Sequence, residues 1–389
     1  MKKIAIVNQR YGLEVNGGSE YYTRRIAEKL AVKYDVEIIT TRALNYDTWE
    51  NYYPEGIQYV EGIKVRRFSV VHKREKFRFR VINKLIRLTE HPPKLLQLKW
   101  IDEQGPLSKA LIKFISANQN NYDIFIFVTY LYYHTFKGLP KVANKAVLIP
   151  TAHDEPYINF NIFKPIFNMP KAIVYLTEEE KELVINKFNN IHIPHYVIGM
   201  GIDVPSKIDV QLFREKHNII NQYIIYVGRV DVGKNCDVMF EYFLKYKQEA
   251  GNNLKLLIMG SAFMNIPSHP DIIYLGFVDE EDKFNGIAGA NTLLLPSEYE
   301  SLSISVLEAM ALSVPVLVNG KCTVLRGHCE KSKGGLYYNN YDEFEKHLNK
   351  LLKEDEAYQR LCRNAKRYIE ENYRWDLIID KMIVLLEKI

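Results

Sequence analysis

The sequence has few cysteines, and their spacing excludes common cysteine frameworks. The four cysteines lie in the second half of the 389 residues and form no close Cys-x-x-Cys pair. This pattern argues against a disulfide scaffold and against a compact zinc module. Cys322, His328 and Cys329 are near one another in sequence, but buried or incidental thiols explain them better than a metal site does.

Long apolar runs and targeting signals are also lacking. No run approaches the roughly 18 to 20 apolar residues that span a bilayer. The opening residues MKKIAIVN predict a first strand rather than a signal peptide. No internal repeat or low-complexity tract is visible. With 47% hydrophobic residues, the chain can build two domains of ordinary size, and we expect it in the cytoplasm.

Positive charge is concentrated in one segment. Residues 64–99 carry 12 basic and 2 acidic residues, a net charge of +10 in a chain whose total is +5. Apolar residues interleave with these bases, as in amphipathic stretches that lie on membranes. We expect either contact with an anionic membrane surface or a solvated face over the core. Nucleic acid is not expected as a partner, because no nucleic-acid motif accompanies the charge. The apolar residues are Phe77, Phe79, Val81, Ile82, Leu85, Ile86 and Leu88.

Short β-branched and aromatic runs alternate with helical patterns, which is typical of parallel sheets wrapped by helices. We therefore predict the α/β class with two Rossmann-like domains. Two glycines and a proline interrupt the pattern in Ile198–Pro205, and Thr177 with Glu180 predicts a capping box before it. The predicted strands are Ile4–Val7, Val36–Thr40, Ile124–Val128, Ala146–Ile149, Tyr223–Val227, Leu254–Met259, Ile272–Leu275, Asn291–Leu295 and Val314–Val318.

Two glutamates flank the start of a predicted helix. A buried strand runs through Pro296 into a helix predicted over about 302–312, with Glu300 in the loop and Glu308 in the second turn. The free amides of such a helix start can hold a diphosphate. One carboxylate could then accept hydrogen bonds from ribose hydroxyls and the other from sugar hydroxyls. This arrangement predicts a nucleotide-sugar site.

The segment Pro296–Leu317, PSEYESLSISVLEAMALSVPVL, closely resembles the signature of the retaining glycosyltransferases of the group 1 family. The resemblance implies the GT-B fold, in which two Rossmann-like domains face each other across a cleft. We accordingly expect residues 1–200 to form an acceptor-side domain to which 373–389 return. Residues 201–372 would form the domain that binds the nucleotide sugar.

A second set of charges follows the strand Tyr223–Val227, where ligands bind in parallel α/β sheets. Arg229 can form bidentate hydrogen bonds with phosphate oxygens, and Lys234 can supply a compact positive charge. Together they would neutralise a departing nucleoside diphosphate in place of a metal, so no metal cofactor is expected. An ordinary βα turn is the alternative. The family resemblance puts its diphosphate-binding pair at these positions.

Two first-half motifs resemble the family as well. Gly17 and Gly18 follow the first strand and let backbone amides approach a phosphate or sugar, although a double glycine is also a common flexible turn. His153 follows another buried strand between acids. A lone histidine is usually structural, but the family resemblance implies that it orients the sugar or the acceptor.

Other turns complete the predicted site. The resemblance implies that Gly276-Phe277-Val278 and Gly260-Ser261 face the base, although ordinary turns are equally compatible. After Glu300 the chain has Ser301-Leu302-Ser303 where many relatives have Gly-Phe-Gly. The candidate catalytic residues are Arg229, Lys234, Glu300 and His153. The candidate donor-binding residues are Gly17, Gly18, Gly228, Phe277, Val278, Ser301, Leu302, Ser303 and Glu308.

Together with the resemblance, these features predict a metal-independent glycosyltransferase. The resemblance further implies retention of configuration and a UDP-sugar as donor, with GDP-mannose next. The expected acceptor is a glycan or lipid-linked molecule in surface polysaccharide synthesis at the inner face of a membrane. An epimerase of the same architecture and a non-catalytic glycan-binding subunit are the alternatives. The charged set fits transfer better than the paired acid and base of an epimerase. Buried charges are costly without a ligand, which disfavours the non-catalytic subunit.

Overall fold

The chain forms two compact units in the computed structural model, which describes residues 1–89 and 91–389. Glu90 of the basic segment is outside the described residues. The first unit contains Met1–Met200 and Ile378–Ile389, and the second contains Gly201–Leu377. The division falls inside the predicted boundary segment Ile198–Pro205. Each unit is an α/β structure built on its own sheet, which confirms the predicted fold class.

The first unit contains an eight-stranded sheet and its flanking helices. The strands are β1 (Lys3–Val7), β2 (Asp35–Thr41), β3 (Gly56–Val60), β4 (Ile63–Phe68), β5 (Ile124–Val128), β6 (Ala146–Ile149), β7 (Ala172–Tyr175) and β8 (His195–Val197). The helices are α1 (Gly18–Leu30), α2 (Lys76–Arg87), α3 (Lys94–Gln104), α4 (Lys109–Ala117), α5 (Tyr133–Gly138), α6 (Lys164–Asn168) and α7 (Glu178–Phe188).

The second unit contains a six-stranded sheet. Its strands are β9 (Tyr223–Val227), β10 (Lys255–Met259), β11 (Ile272–Gly276), β12 (Thr292–Leu295), β13 (Val316–Asn319) and β14 (Gly335–Tyr338). Its helices are α8 (Val210–Lys216), α9 (Cys236–Ala250), α10 (Glu280–Ala288), α11 (Ile304–Ala311), α12 (Thr323–Ser332), α13 (Tyr341–Leu351) and α14 (Glu356–Asn372). Helix α15 (Trp375–Lys388) begins in the second unit and ends in the first.

Strand order explains which strands the sequence revealed. The first sheet runs β3-β4-β2-β1-β5-β6-β7-β8, parallel except for the antiparallel β3–β4 pair. Its central strands β1, β5 and β6 are continuous apolar runs because helices cover both faces. Strand β4 instead alternates buried and half-buried residues and carries three bases. The sequence of β4 therefore has the pattern of a surface segment although the strand is part of the sheet.

The second sheet is fully parallel, in the order β11-β10-β9-β12-β13-β14. Strands β9 and β12 are neighbours, and Ile224 and Ile225 pair with Thr292 and Leu293. Because parallel strands end at the same edge of a sheet, the loops after β9 and β12 lie side by side.

The C-terminal helix packs into the core of the first unit. Ile378, Met382 and Leu386 are fully buried at helical spacing. The Lys2 ammonium donates to the Leu386 carbonyl at 2.7 Å. The part of the chain that belongs to the first unit begins at Ile378 rather than at the predicted residue 373. Tyr373 belongs to the second unit, where its carbonyl accepts from the Ile202 amide.

Part of the basic segment is built into the sheet. Lys64 and Arg66 on β4 reach the fully buried Glu37 carboxylate at 3.3 Å and 2.7 Å. Arg67 is 1% exposed; its guanidinium donates to the Tyr11 carbonyl and stacks on the Tyr53 ring. These bases stabilise the first unit, so the expectation of one continuous surface segment is wrong for this part.

Helix α2 carries the middle of the segment. Ile82 and Ile86 are buried in the core of the first unit, so they are not available for contact with a membrane. Phe79 is partly buried, whereas Phe77 and Leu85 are 78% and 49% exposed. Among the residues with described positions, no helix has both the length and the apolar character that a bilayer crossing requires.

Candidate functional site

An ion pair joins the loops that follow β9 and β12. The Lys234 ammonium lies 2.6 Å from a Glu300 carboxylate oxygen. A 3-10 turn, Val232–Lys234, carries this lysine, and the Asp231 side chain caps the turn by accepting from the Lys234 amide at 2.8 Å. The two charged side chains are 29% and 14% exposed, so they are held in place and still reach solvent. The structure therefore brings together two of the predicted catalytic residues.

Arg229 lies at the same strand end. Its guanidinium pairs with the Asp231 carboxylate, and its side chain is 44% exposed. The hydroxyl of Tyr226 donates to the Arg229 carbonyl at 2.7 Å, which holds the backbone of the turn. The loop after β9 therefore presents two positive side chains, Arg229 and Lys234, each next to one carboxylate.

Two asparagines hold the loop after β12, and neither was among the predicted site residues. The carboxamides of Asn235 and Asn319 donate to the Pro296 carbonyl at 3.3 Å and 2.9 Å. Asn235 is in the left-handed region with φ of 60°, where α9 begins. The Pro296 carbonyl is thus anchored from the loop after β9 and from the end of β13, and the segment leading to Glu300 is held between them.

Glu308 is buried and has a partner within the protein. Its carboxylate is 2.6 Å from the Lys283 ammonium on α10. Burial raises the pKa of Glu308 above the usual carboxyl range, although the Lys283 charge opposes this effect. Lys283 was not among the predicted site residues. A ribose would therefore meet a carboxylate that is already oriented by a lysine.

Helix α11 begins at Ile304, two residues later than predicted. Ser301, Leu302 and Ser303 consequently form the loop before the helix, and Ser303 has a left-handed φ of 65°. The Leu302 side chain is 3% exposed, so it packs in the core. Only backbone atoms of this residue can face a donor.

His328 supports the loop before α11 from within the core. It lies on α12, fully buried, and its Nε2 donates to the Leu302 carbonyl at 2.8 Å. Its Nδ1 lies 3.1 Å from the Tyr368 hydroxyl. Because a carbonyl only accepts, Nε2 carries the proton. His328 positions the loop before α11, and no metal role is needed for it.

Glycines follow three neighbouring strands at the same edge. The Gly228 amide donates to the Met259 carbonyl and the Gly260 amide donates to the Gly276 carbonyl, at 2.9 Å and 2.7 Å. A Cβ at Gly260, where φ is 134°, would overlap the Gly228 carbonyl oxygen. Only glycine allows this approach. Phe277, the residue after Gly276, is 68% exposed, and Val278 is half-buried.

In the first unit, the glycine loop rests on a buried ion pair. Gly17 and Gly18 are exposed where α1 begins. The Arg10 guanidinium contacts the Glu20 carboxylate at 2.5 Å and also donates to the Asn16 carbonyl at 2.9 Å. A Cβ at Gly17 would collide with the Glu20 carboxylate. No local pattern points to Arg10, because its partner becomes evident only after folding.

Contacts from Tyr130 and the buried Glu180 also hold the segment that carries His153. Glu155 accepts a hydrogen bond from the Tyr130 hydroxyl at 2.9 Å, and its carboxylate lies 3.8 Å from His153 Nδ1. The buried Glu180 accepts from the amides of Ala152 and Leu176 at 2.5 Å and 2.6 Å. Glu180 therefore ties the ends of β6 and β7 together, besides lying in the first turn of α7.

The predicted cap of α7 is present, because the Thr177 hydroxyl accepts from the Glu180 amide at 3.1 Å. Across residues 1–89 and 91–389, no group of three or more His, Cys, Asp or Glu side chains could hold a metal ion. Cys322 and Cys329 lie on or beside α12 with His328, at separate structural positions. Gly17, Gly18 and His153 belong to the first unit, and the other candidate residues belong to the second.

Comparison with known proteins connects this geometry with a family. Residues 209–368 match the sequence model of the glycosyl transferases group 1. An uncharacterized glycosyltransferase of Methanocaldococcus jannaschii is 24% identical over 98% of this chain and 97% of the relative.

Solved structures show the same fold. Sucrose-phosphate synthase from Thermosynechococcus elongatus superposes with a TM-score of 0.74 at 15% identity, over 100% of this chain and 99% of that one. Anabaena Alr3699/HepE in complex with UDP-glucose gives a TM-score of 0.69 at 14% identity, over 100% of both chains. The fold is GT-B, as predicted.

Glu180 leads to a prediction about pH. Burial raises the pKa of Glu180 to about 8, although the two backbone amides oppose the shift. The folded chain then holds a proton that the unfolded chain releases near the ordinary carboxyl pKa of about 4.3. The free energy of unfolding should therefore fall as pH rises from about 4.3 to about 8. Glu180→Gln should remove this part of the pH dependence.

Urea unfolding at a series of pH values measures the effect. Glu182→Gln, an exposed change on the same helix, should keep the wild-type profile. Identical profiles for the wild-type chain and Glu180→Gln would contradict the prediction.

Proposed function

We propose that this glycosyltransferase, whose residues 209–368 belong to the glycosyl transferases group 1 family, transfers a sugar from a nucleoside diphosphate to a glycan or lipid-linked acceptor with retention of configuration. The observation that carries the proposal is the 2.6 Å pair of Lys234 and Glu300, with Arg229 in the same loop. A UDP-sugar is the first donor to test, and the complex of the Anabaena neighbour with UDP-glucose supports this choice. GDP-mannose is the second.

In this proposal Arg229 and Lys234 stabilise the leaving diphosphate. Both residues lie after the carboxyl end of β9, and ligands of parallel α/β sheets bind at the carboxyl ends of the strands. Preorganised cations stabilise negative charge as it develops in the transition state, and they need no reorganisation during the reaction. Glu300 has two functions here: it holds the Lys234 ammonium, and its carboxylate accepts hydrogen bonds from the transferred sugar.

The remaining donor contacts follow from exposure and burial. Phe277 offers an exposed ring for stacking with the base. Glu308, oriented by Lys283, would accept from the ribose hydroxyls. Ser301, Ser303 and the Leu302 backbone line the loop before α11, and His328 keeps that loop in one conformation. Gly228 and Val278 complete the strand-end turns.

Gly17, Gly18 and His153 would act from the first unit. The exposed glycines present backbone amides where α1 begins. His153 is half-buried, between Ala152, whose amide binds Glu180, and Glu155. We assign it to the orientation of the sugar or acceptor.

The reaction needs no protein nucleophile. The bond between the anomeric carbon and the diphosphate oxygen breaks, and the acceptor hydroxyl oxygen bonds to the same face of that carbon. The acceptor proton passes to the departing diphosphate oxygen. The protein contributes positioning and charge stabilisation. Because Arg229 and Lys234 carry the charge, we propose that no metal is required.

We further propose that the protein works at the inner face of a membrane in surface polysaccharide synthesis. Helix α2 supports this placement, because Phe77, Val81, Leu85 and the adjacent Leu88 form an exposed apolar stripe. A stripe of bases, including Arg80 and Lys84, runs beside it on the same helix. Charge complementarity thus selects an anionic lipid surface, where each base contributes up to about 1 kcal/mol.

The first prediction concerns the reaction. Incubation with a panel of nucleoside-diphosphate sugars should release nucleoside diphosphate from one donor class, faster when a glycan acceptor is present. EDTA should leave the rate unchanged, and NMR should show that the product keeps the donor's anomeric configuration. An inverted product would contradict the mechanism, and a strict requirement for Mg²⁺ or Mn²⁺ would contradict the role of Arg229 and Lys234.

The second prediction concerns the diphosphate pair. Lys234→Ala and Arg229→Ala should each lower turnover by about 100-fold or more, as expected when one preorganised charge is lost. Lys245→Ala on α9 is a matched control, because Lys245 forms an exposed pair with Glu249. Near-wild-type turnover in both site variants, with unchanged circular dichroism, would remove them from the reaction.

The third prediction concerns the membrane. The chain should sediment with phosphatidylcholine vesicles that contain phosphatidylglycerol, and more weakly as salt rises. The double change Phe77→Ser/Leu85→Ser should weaken binding roughly tenfold or more, since buried apolar area is lost. Val32→Ser/Ile220→Ser alters two residues that are 89% and 91% exposed elsewhere and should have no effect. Equal binding to vesicles with and without the anionic lipid would exclude the proposed contact.

A further inference from the structure

A pocket of 590 Å³ lies in the first unit, along helix α2. Its volume is in the ordinary range of small-molecule sites. Five bases line it: Arg74, Lys76, Arg80, Lys84 and Arg87. The acidic residue in its lining is Asp47.

Helix α2 aims its basic face at this pocket. Lys76, Arg80, Lys84 and Arg87 recur at three- and four-residue spacing, which places them on one side of the helix. The exposed apolar stripe proposed to meet a membrane lies next to this basic face, and Leu88 of that stripe also lines the pocket. Phe77 and Leu85 lie outside the lining, so their substitution tests the membrane contact without altering the pocket.

The charge in the pocket is not balanced by protein groups. Asp47 lies 3.5 Å from Lys76. Arg80 and Lys84 have no acidic partner within the part of the chain that the structure describes. The Arg74 side chain is 6% exposed; its guanidinium donates to the Gln104 side chain at 3.2 Å and lies over the Tyr46 and Phe79 rings, so its charge is fixed beside the pocket. Clustered like charges repel one another, so this arrangement favours an anion with several oxygens.

Three aromatic side chains, Tyr46, Phe79 and Tyr157, also line the pocket, together with Asn83 and Leu88. Tyr157 stacks on Trp100 with ring centroids 4.5 Å apart. Asn83 fixes this pair, because its carboxamide oxygen accepts from Trp100 Nε1 at 2.6 Å and from the Tyr157 hydroxyl at 3.3 Å. Tyr46 lies in the same lining. Flat aromatic faces beside fixed bases suit a sugar ring that carries a phosphoryl group.

The chain also connects the pocket to the segment that carries His153 in the first unit. Tyr157 is in the 3-10 turn Pro156–Asn159, which directly follows the segment His153–Glu155. A ligand against Tyr157 would therefore lie beside the backbone that carries His153.

We propose that this pocket binds the phosphoryl group of the acceptor, which is a phosphorylated sugar either free in solution or linked to a lipid through its phosphate. The inference rests on the proposed function, since it names the acceptor class for that transfer. Arg80, Lys84 and Arg87 contact the phosphoryl oxygens, and Tyr46 and Tyr157 contact the ring.

Binding measured without any nucleotide sugar tests the pocket independently of turnover. Isothermal titration calorimetry of the full chain at low salt should detect binding of glucose 6-phosphate. Inorganic phosphate should bind more weakly, and glucose should not bind. A second arm compares phosphatidylcholine vesicles that contain a polyprenyl phosphate with vesicles that carry the same charge as phosphatidylglycerol. Binding of glucose 6-phosphate identifies a soluble source, and binding of the polyprenyl phosphate vesicles alone identifies a lipid source.

Two double variants distinguish the pocket from general charge. Arg80→Gln/Lys84→Gln should weaken the bound probe at least about tenfold, because two charged hydrogen bonds are lost. Lys94→Gln/Lys99→Gln removes the same charge from exposed positions of α3 and should change affinity less than about twofold. Phe77→Ser/Leu85→Ser should leave binding of glucose 6-phosphate unchanged.

The proposal would be overturned if Arg80→Gln/Lys84→Gln and Lys94→Gln/Lys99→Gln weakened binding of the probe equally. It would also be overturned if no phosphorylated probe bound. Failure of sugar transfer with intact, Arg80-dependent probe binding would instead contradict only the proposed function.

Discussion

Parallel pairing of β9 with β12 is the constraint on which the candidate donor site depends. It places the ends of two strands side by side, although their loops are far apart in sequence. Lys234 can therefore meet Glu300 at 2.6 Å. Glycines at the ends of β9, β10 and β11 allow the neighbouring turns to approach closely. This charged pair at the sheet edge is partly exposed to solvent, so a ligand could reach it.

Buried polar groups hold the loops that carry the candidate residues. Arg10 with Glu20 supports the glycine loop, Glu180 supports the His153 segment, and His328 supports the loop before α11. Each uses a buried side chain to bind backbone groups, which would be costly to leave unpaired. Such contacts give loops a single conformation. The conformation of the candidate loops therefore depends on residues outside the candidate set.

The basic segment illustrates how one composition can serve several purposes. Lys64 and Arg66 neutralise a buried glutamate inside the sheet, which is a structural role. Arg80 and Lys84 have no such partner among the described residues and face a pocket with aromatic walls. The exposed apolar residues Phe77 and Leu85 on α2 lie outside that pocket lining. Composition alone does not distinguish these bases from one another. Their different structural partners show that they have different roles.

The sequence by itself determined the α/β class, the central strands and the group 1 signature, because buried parallel strands leave apolar runs and strand-end motifs are local. It failed for β3, β4, β7, β8 and β14, which are short or carry polar residues. Only the tertiary structure decided the partners. Lys234 and Glu300 are 66 positions apart, and His328 and Leu302 are 26 apart. No local pattern encodes such contacts, because they exist only once the strands have paired and the helices have packed.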